Sequence, residues 1–143
     1  MKVTIGKYPK KSDKERKVSI RIDPWDTWSM DSTLALIVVP MLKQLRATKH
    51  GTPMDAFEEE WHQITQSKEF FAEKKSGPLH KKAKRLEKEG LKRWDDILGK
   101  MIWSFEQANK HWDNPKLIGD KDYWARVQEG IDLFAKHYFD LWD

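Results

Sequence analysis

The sequence predicts a mostly helical α+β fold, in which a bundle of four or five helices carries a small N-terminal β-hairpin. Two short N-terminal segments alternate apolar and polar residues with the period of two that is typical of strands. The rest of the chain repeats apolar residues every three or four positions, as amphipathic helices do. Prolines and glycines interrupt this repeat at the points where helices would begin or end.

The hairpin is predicted from apolar residues that alternate with polar ones, namely Val3 and Ile5, then Val18, Ile20 and Ile22. The lysine-rich stretch 7–16 between them contains Pro9 and predicts an exposed loop. An isolated two-stranded hairpin is only marginally stable, so it must pack on the helices or gain strands by association. Its exposure therefore favours a homodimer or homo-oligomer.

The first helix is expected to begin at Asp31, as its N-cap, and to end at Gly51. Its apolar positions are Leu34, Ile37, Val38, Met41, Leu42 and Leu45. Pro40 lies inside this pattern and removes one helical hydrogen bond, so we expect a kink there rather than two helices.

The second helical segment is predicted from Met54 to about Lys74, after the start signal Thr52-Pro53. Its apolar side would consist of Phe57, Trp61, Ile64 and Phe71. Ser76-Gly77-Pro78 then breaks the helix.

Two further helices complete the bundle. One runs from Leu79 through an apolar stripe that strengthens between Leu91 and Phe105, and Gly90 within it predicts a bend or a break. The other is capped by Asp120, and its apolar residues step by three and four positions from Trp124 to Leu141. This regular pattern places the C-terminus in the core.

Length and composition bound the domain organisation. The chain has 143 residues, which suits one domain, with the hairpin at 1–23 and the helical bundle at 31–143. Eight Trp residues argue against disorder, and the absence of Cys excludes disulfides and thiolate metal sites. The longest strongly apolar run, 34–39, is far shorter than the ~20 residues that cross a bilayer. We therefore expect neither export through a signal peptide nor a membrane partner.

The positive charge is confined to two segments. Between Lys7 and Lys17 six Lys or Arg face two acidic residues, and between Lys74 and Arg93 nine face two. The whole chain carries a net charge of only +4, so the remainder is acidic. An anionic partner would be attracted to these segments. For the stretch 74–93, a phosphate-binding patch and a merely solubilising helix face remain two open interpretations.

No complete catalytic or metal site follows from the spacing. Glu59 and His62 could share a metal on one helix face, but matching carboxylates on facing helices are missing, and a solvated acidic helix start explains them more simply. Glu129 and Asp132, together with the acidic run 58–60, resemble the motifs of helical nucleotide pyrophosphatases only in part. The five His are scattered, and no glycine-rich phosphate loop is present. We assign no catalytic residue, metal ligand or cofactor and do not expect an enzyme.

The tryptophans divide by pattern. Trp94, Trp103 and Trp124 fall on apolar stripes and are expected in the core, whereas Trp25 and Trp28 lie in a turn outside any stripe. Two rings near Arg21 make that turn the preferred pocket wall. The predicted ligand-binding residues are Arg21, Trp25, Trp28, Arg46, His50, Arg93 and Trp94.

Eight stretches resemble a family of small uncharacterised proteins of tailed bacteriophages, T4-like and marine phages among them. They are KVTIG at 2–6, DTWSMD at 26–31, TLALI at 33–37, PMLKQL at 40–45, KHG at 49–51, RWD at 93–95, MIWSFEQ at 101–107 and GIDLFAKHY at 130–138. Between Pro53 and Leu91 the chain departs from the family's pattern, which carries an acidic, proline-containing insert there, so any function of that insert is in doubt. The resemblance implies an accessory protein acting in the cytoplasm of an infected bacterium.

The leading hypothesis is a non-catalytic protein that binds and sequesters an anionic nucleotide-like ligand, such as a host immune signal. Small phage proteins without catalytic motifs often act stoichiometrically, which is an argument by analogy. In such a site cations would meet phosphate and rings would stack on the base. Three alternatives stay open: a nucleic-acid-binding protein that uses the basic segments, a helical adaptor or inhibitor of a host or virion protein, and a Mg-dependent nucleotide pyrophosphatase.

Overall fold

A computed structural model describes residues 1–7, 9–10 and 14–142 and confirms the mostly helical α+β class. Within these residues the hairpin strands are β1 (Lys2–Ile5) and β2 (Val18–Arg21). The α-helices are α1 (Met30–Thr48), α2 (Glu59–Thr65), α3 (Lys68–Ala72), α4 (Pro78–Lys110) and α5 (Lys121–Lys136). None of the described helices has both the length and the apolar composition that crossing a membrane requires.

The predicted hairpin is confirmed as an antiparallel pair. Val3 lies opposite Ile20, and Ile5 lies opposite Val18. At the loop end of the hairpin the amide of Gly6 donates to the carbonyl of Lys17 at 2.8 Å, which extends the ladder by one further hydrogen bond. The predicted loop falls partly on positions 8 and 11–13, which lie outside the described residues.

Helix α1 runs antiparallel to the second half of α4. At one end the Ser32 hydroxyl donates to the carbonyl of Ala108 at 3.0 Å, and at the other Arg46 donates to Asp95 at 2.6 Å. The prediction that Asp31 caps the helix is wrong, because Ser29 occupies the N-cap and Asp31 lies in the first turn. In that position its carboxylate still interacts favourably with the positive end of the helix dipole. Pro40 lies inside one continuous helix, and a kink there stays a prediction.

The prediction of one helix from Met54 to about Lys74 is wrong. The segment folds as a 3-10 turn (Met54–Ala56) followed by α2 and α3, because side chains divert the backbone hydrogen bonds. The Thr65 hydroxyl donates to the carbonyl of Trp61 at 2.8 Å, and the Ser67 hydroxyl accepts from the amide of Phe70 as the N-cap of α3. Hydroxyl side chains that compete in this way favour helix ends over helix interiors.

Helix α4 is the central element and spans 33 residues without a break. The helix predicted from Leu79 begins one residue earlier, at Pro78, with Gly77 as its N-cap, and the break considered at Gly90 is not found. A side chain at Gly90 would come within 2.5 Å of the Phe57 ring, so the glycine allows the 53–57 segment to pack against α4. Asp120 caps α5 as predicted, since its carboxylate accepts from the amide of Tyr123 at 3.0 Å.

The core forms where α1 and the C-terminal segment meet α4. Its fully buried members are Leu42, Ala56, Trp94, Leu98, Met101 and Ile102. Trp94 is confirmed as a core residue at 1% exposure, whereas Trp103 is only half-buried and Trp124 is exposed. Phe71, predicted on the apolar side of its helix, is 75% exposed, because α3 ends at Ala72 as a single short turn.

The helices α4 and α5 approach one another closely at Gly130. A β-carbon placed there would lie 2.0 Å from the Ser104 hydroxyl oxygen and 2.5 Å from the carbonyl oxygen of Lys100. The second of these atoms is backbone and cannot turn aside. The spacing of the two helices therefore depends on the absence of a side chain at this position.

We expect Gly130→Ala to destabilise the fold by about 2 kcal/mol, because overpacking outweighs the ~1 kcal/mol that alanine gains in helix propensity. Gly119→Ala is the matched control, since a β-carbon at Gly119 meets no atom within 4 Å. Urea unfolding followed by circular dichroism measures both. An equal free energy of unfolding for the two variants would show that the close approach does not limit stability.

Candidate functional site

Three of the predicted ligand-binding residues lie at the hairpin end of the molecule. Trp25 and Trp28 are 75% and 80% exposed, and their ring centroids are 5.7 Å apart at a tilt of 49°. Arg21 ends β2 and is also exposed. The rings pack on each other and line neither of the two pockets described for the chain.

The other four lie near the far end of α1, and most of them are already engaged. The Arg46 guanidinium binds the Asp95 carboxylate, and Arg93 donates to Glu58 at 3.0 Å. Trp94 is buried, with its ring edge-to-face against His137. His50 is exposed just beyond the helix.

The seven residues therefore do not form one pocket. Trp28 and Arg46 are separated by most of the length of α1, roughly 25 Å at 1.5 Å per residue. Trp94 has no open surface on which a base could stack. The structure separates an exposed group of Arg21, Trp25 and Trp28 from a second group that is paired or buried, and ligand binding itself stays a prediction.

The basic stretch 74–93 forms the first half of α4. Lys82 binds Glu60 and Arg93 binds Glu58, which ties α4 to the segment around α2. Lys81, Lys84 and Lys88 are exposed on the same helix, and no ion pair is found for them among the described residues. Part of the stretch therefore holds the fold together and part forms a solvated basic face, which leaves both earlier interpretations open.

The two metal pairs considered from spacing are engaged with other groups. The His62 imidazole contacts the carbonyl of Met54 at 3.1 Å. Glu129 binds Lys100 at 2.5 Å, and Asp132 accepts from Gln128 at 2.7 Å.

A different group of three possible metal ligands, Asp55, His137 and Asp140, lies where the C-terminal segment meets the 53–57 turn. His137 Nδ1 is 3.0 Å from Asp140 and 3.8 Å from Asp55, and Lys136 binds Asp55 at 2.8 Å. The hydrogen bond from Lys136 lowers the pKa of Asp55 below its usual value, with a further contribution from the charge of His137. The His137 ring is 99% buried, and its Nε2 atom has no hydrogen-bond partner. These contacts tether the end of the chain to the bundle.

An apolar groove of about 990 Å³ lies between α1 and the C-terminal segment, and we call it the α1–α5 groove. It exists because α1 and α5 each pack along α4 and barely touch one another. Its walls are Val38, Met41, Leu45 and Thr48 of α1, then Phe134, Tyr138, Leu141 and Trp142. Met41 and Trp142 are 66% and 68% exposed, so large apolar side chains form an open rim.

The groove side of α1 has a regular spacing. The groove-lining residues Val38, Met41, Leu45 and Thr48 follow one another at intervals of three, four and three residues, and Leu34 continues this face toward the start of the helix. This is the spacing of the a and d positions with which one helix packs against another. Ala35 and Leu42 are the fully buried residues of α1, whereas Val38 and Leu45 are half-buried and pack against the core from one side only. Helix α1 therefore carries a second apolar seam beside its buried residues, and this seam is only partly covered.

Sequence reasoning missed this groove because it assigned every apolar residue of α1 to a single core-facing stripe. Leu34 and Met41 belonged to that stripe, yet they are 46% and 66% exposed. The width of the apolar arc was the available signal. The six apolar positions predicted between 34 and 45 span a wider arc of the helix surface than packing against one neighbouring helix requires.

Comparison with known proteins gave no family to which the chain can be assigned. No family model matches it, and no curated protein or solved structure does either.

The ion-pair cluster at the α1–α4 contact predicts a pH dependence. Hydrogen bonds from Arg46 and Lys49 lower the pKa of Asp95 from 3.8 to about 2. A lowered folded-state pKa contributes stability that is complete above the unfolded value and is lost as the pH falls through the folded value. We expect Asp95→Asn to cost about 1 kcal/mol at pH 7, since the carboxylate is partly exposed, and almost nothing near pH 2.

Urea unfolding at both pH values measures this difference. Asp96→Asn is the control, because the neighbouring carboxylate is exposed and no ion pair is found for it among the described residues. A loss in Asp95→Asn that stays constant between pH 7 and pH 2 would contradict the assignment.

Proposed function

We propose that this protein is a non-catalytic helix-binding protein, which holds an amphipathic helix of a partner protein in the α1–α5 groove. The observation that carries the proposal is the partly uncovered seam on α1, which has helix-packing spacing, exposes Met41 and opens into an apolar groove of about 990 Å³. In the setting implied by the resemblance to phage proteins, the partner is a host or virion protein in the cytoplasm of the infected cell. Binding would be stoichiometric, as for an adaptor or inhibitor.

The geometry favours a helix over other ligands. Bundles pack their helices around a shared core, and here α1 and α5 flank α4 and leave the fourth position of a bundle open. The seam from Leu34 to Thr48 is roughly 20 Å long at 1.5 Å per residue, which matches a helix of about four turns. An occupant would present apolar residues every three or four positions toward α1 and the C-terminal segment.

The chemistry of the groove also favours a protein over a nucleotide. Its walls are aliphatic and aromatic, with Gln44 and Thr48 as its polar members. A phosphate placed there would lose hydration without gaining a cation, which costs free energy. Exposed Met41 suits a helix-binding surface, since flexible methionine side chains adapt to varied partners.

A labelled 15-residue peptide with leucine at heptad a and d positions and glutamine elsewhere tests the proposal by fluorescence anisotropy. We expect it to bind the wild-type protein more tightly than a scrambled peptide of the same composition. Met41→Asp should weaken binding about tenfold or more, because the new carboxylate would be buried against the peptide. Leu36→Asp is the matched control, since Leu36 lies on the same helix at 69% exposure but outside the groove.

Circular dichroism first establishes that both variants keep the wild-type helix content. Equal weakening by the two substitutions, or equal binding of the ordered and scrambled peptides, would show that the groove does not recognise a helix.

The second candidate is the anionic nucleotide-like ligand, now restricted to Arg21, Trp25 and Trp28. The observation that favours it is the exposed pair of indole rings, on which a base can stack, shortly after the exposed Arg21 in the sequence. We expect a nucleotide panel to raise the thermal midpoint of the wild-type protein in a concentration-dependent way and to leave that of Trp28→Ala unchanged. Trp112→Ala, at 69% exposure on another turn, is the control. A midpoint that no nucleotide raises would remove this candidate.

A further inference from the structure

One face of the hairpin is entirely apolar. The register pairs Val3 with Ile20 and Ile5 with Val18, and side chains two residues apart lie on the same face of a strand. These four β-branched residues therefore share one face, which Ile22 continues beyond β2. The opposite face carries Lys2, Thr4, Ser19 and Arg21.

This apolar hairpin face lies in solvent. All eight residues of β1 and β2 are exposed, and the five aliphatic side chains of the face retain between 36% and 56% of their accessible surface. The hairpin is anchored at its edge, where the N-terminal amine binds Asp26 at 2.8 Å. A two-stranded sheet with a bare apolar face is marginal in water, because it needs a second layer for independent stability.

We propose that the apolar hairpin face packs against the same face of a second copy of the chain. The two hairpins would form a small sandwich of two layers, about 10 Å apart, related by a two-fold axis. The surface is distinct from the α1–α5 groove, and the inference does not depend on the proposed function.

The charges at the two ends of the hairpin identify the second copy as the occupant. The loop end carries the exposed cations Lys7, Lys14 and Lys17. The other end leads into the segment 23–31, which contains three aspartates and no lysine or arginine, and the cations of that end, Lys2 and Arg21, lie on the opposite face of the hairpin. If the two-fold axis runs across the strands, each basic loop lies over the acidic, Trp-bearing end of the other copy.

Each copy contributes one basic loop and one acidic end, so the same contact between opposite charges forms twice in the dimer. The Asp26 carboxylate is already paired with the N-terminal amine, but Asp23 and Asp31 are exposed at that end and can pair with the cations of the partner loop. Cations of the partner loop would also reach the exposed rings of Trp25 and Trp28. Opposite charges placed reciprocally fix the orientation of a two-fold contact and exclude the orientation in which the two basic loops meet.

The available area is also sufficient. The five aliphatic side chains together with Trp25 and Trp28 expose on the order of 800 Å² per copy, which is what each partner of a standard stable interface contributes. The aliphatic face alone would supply only about half of that area. The tryptophan pair therefore belongs to the interface, and this accounts for two large rings left in solvent beside the hairpin.

Light scattering during gel filtration at about 50 µM tests the inference on the full chain. We expect the wild-type protein to elute at twice its 17.0 kDa chain mass. Ile20→Lys should shift it to the monomer, with at least a tenfold loss of dimer affinity, while Ser19→Lys stays dimeric. Both variants add the same charge to adjacent residues of one strand, but on opposite faces of the hairpin.

A second measurement uses the absence of native cysteine. A thiol-specific cross-linker that spans about 10 Å should join two copies of Ile20→Cys and should not join two copies of Ser19→Cys, because the proposed layer spacing is too wide for a direct disulfide. Helix content unchanged in every variant shows that the bundle stays folded. A monomeric wild-type protein, equal behaviour of the two Lys variants, or a dimer broken by Met41→Asp rather than Ile20→Lys would overturn the inference.

Discussion

The close approach of α4 and α5 at Gly130 is the constraint on which the rest of the structure depends. Because no side chain separates the helices there, α5 can follow α4 closely enough for Phe134 to pack against Phe105 and for His137 to reach Trp94. The C-terminal segment after His137 is thereby positioned to form one wall of the α1–α5 groove. Helix α1 forms the other wall through its own contacts with α4, so the groove exists because one long helix supports two separate neighbours.

Local signals in the sequence were sufficient wherever one interaction decided the structure. The period of two predicted the strands, Gly77-Pro78 predicted a helix boundary just before α4, and Asp120 was predicted as the N-cap of α5. They were insufficient where two interactions compete. Between Met54 and Lys74 the apolar repeat favours a continuous helix, but the hydroxyls of Thr65 and Ser67 take up backbone groups and divide it. The repeat alone carries no information on that competition.

The candidate site was harder to predict, because the chemical character of a residue does not reveal its partner. Arg46 and Arg93 were sound choices for an anion site by residue type, yet carboxylates distant in sequence, Asp95 and Glu58, engage them. Trp94 fitted both the pattern of a core residue and a role in stacking on a base, and its burial shows that it is a core residue. The groove has no charged residue in its lining that could mark it in the sequence, and it is recognised only when the second seam of α1 is seen to be partly uncovered.

Within the described residues the apolar hairpin face and the α1–α5 groove are both at least partly uncovered, and their placement links the two proposals. The hairpin precedes the start of α1, whereas the α1–α5 groove opens along the middle and end of that helix, so pairing through the hairpins would leave both grooves accessible. A dimer of this kind would present two of the proposed helix-binding grooves. For a partner that is itself oligomeric, the second contact would be intramolecular, so the pair would bind more tightly than a single weak groove could without any additional contact. Pairing would in this way make a small protein with one shallow groove an effective stoichiometric inhibitor.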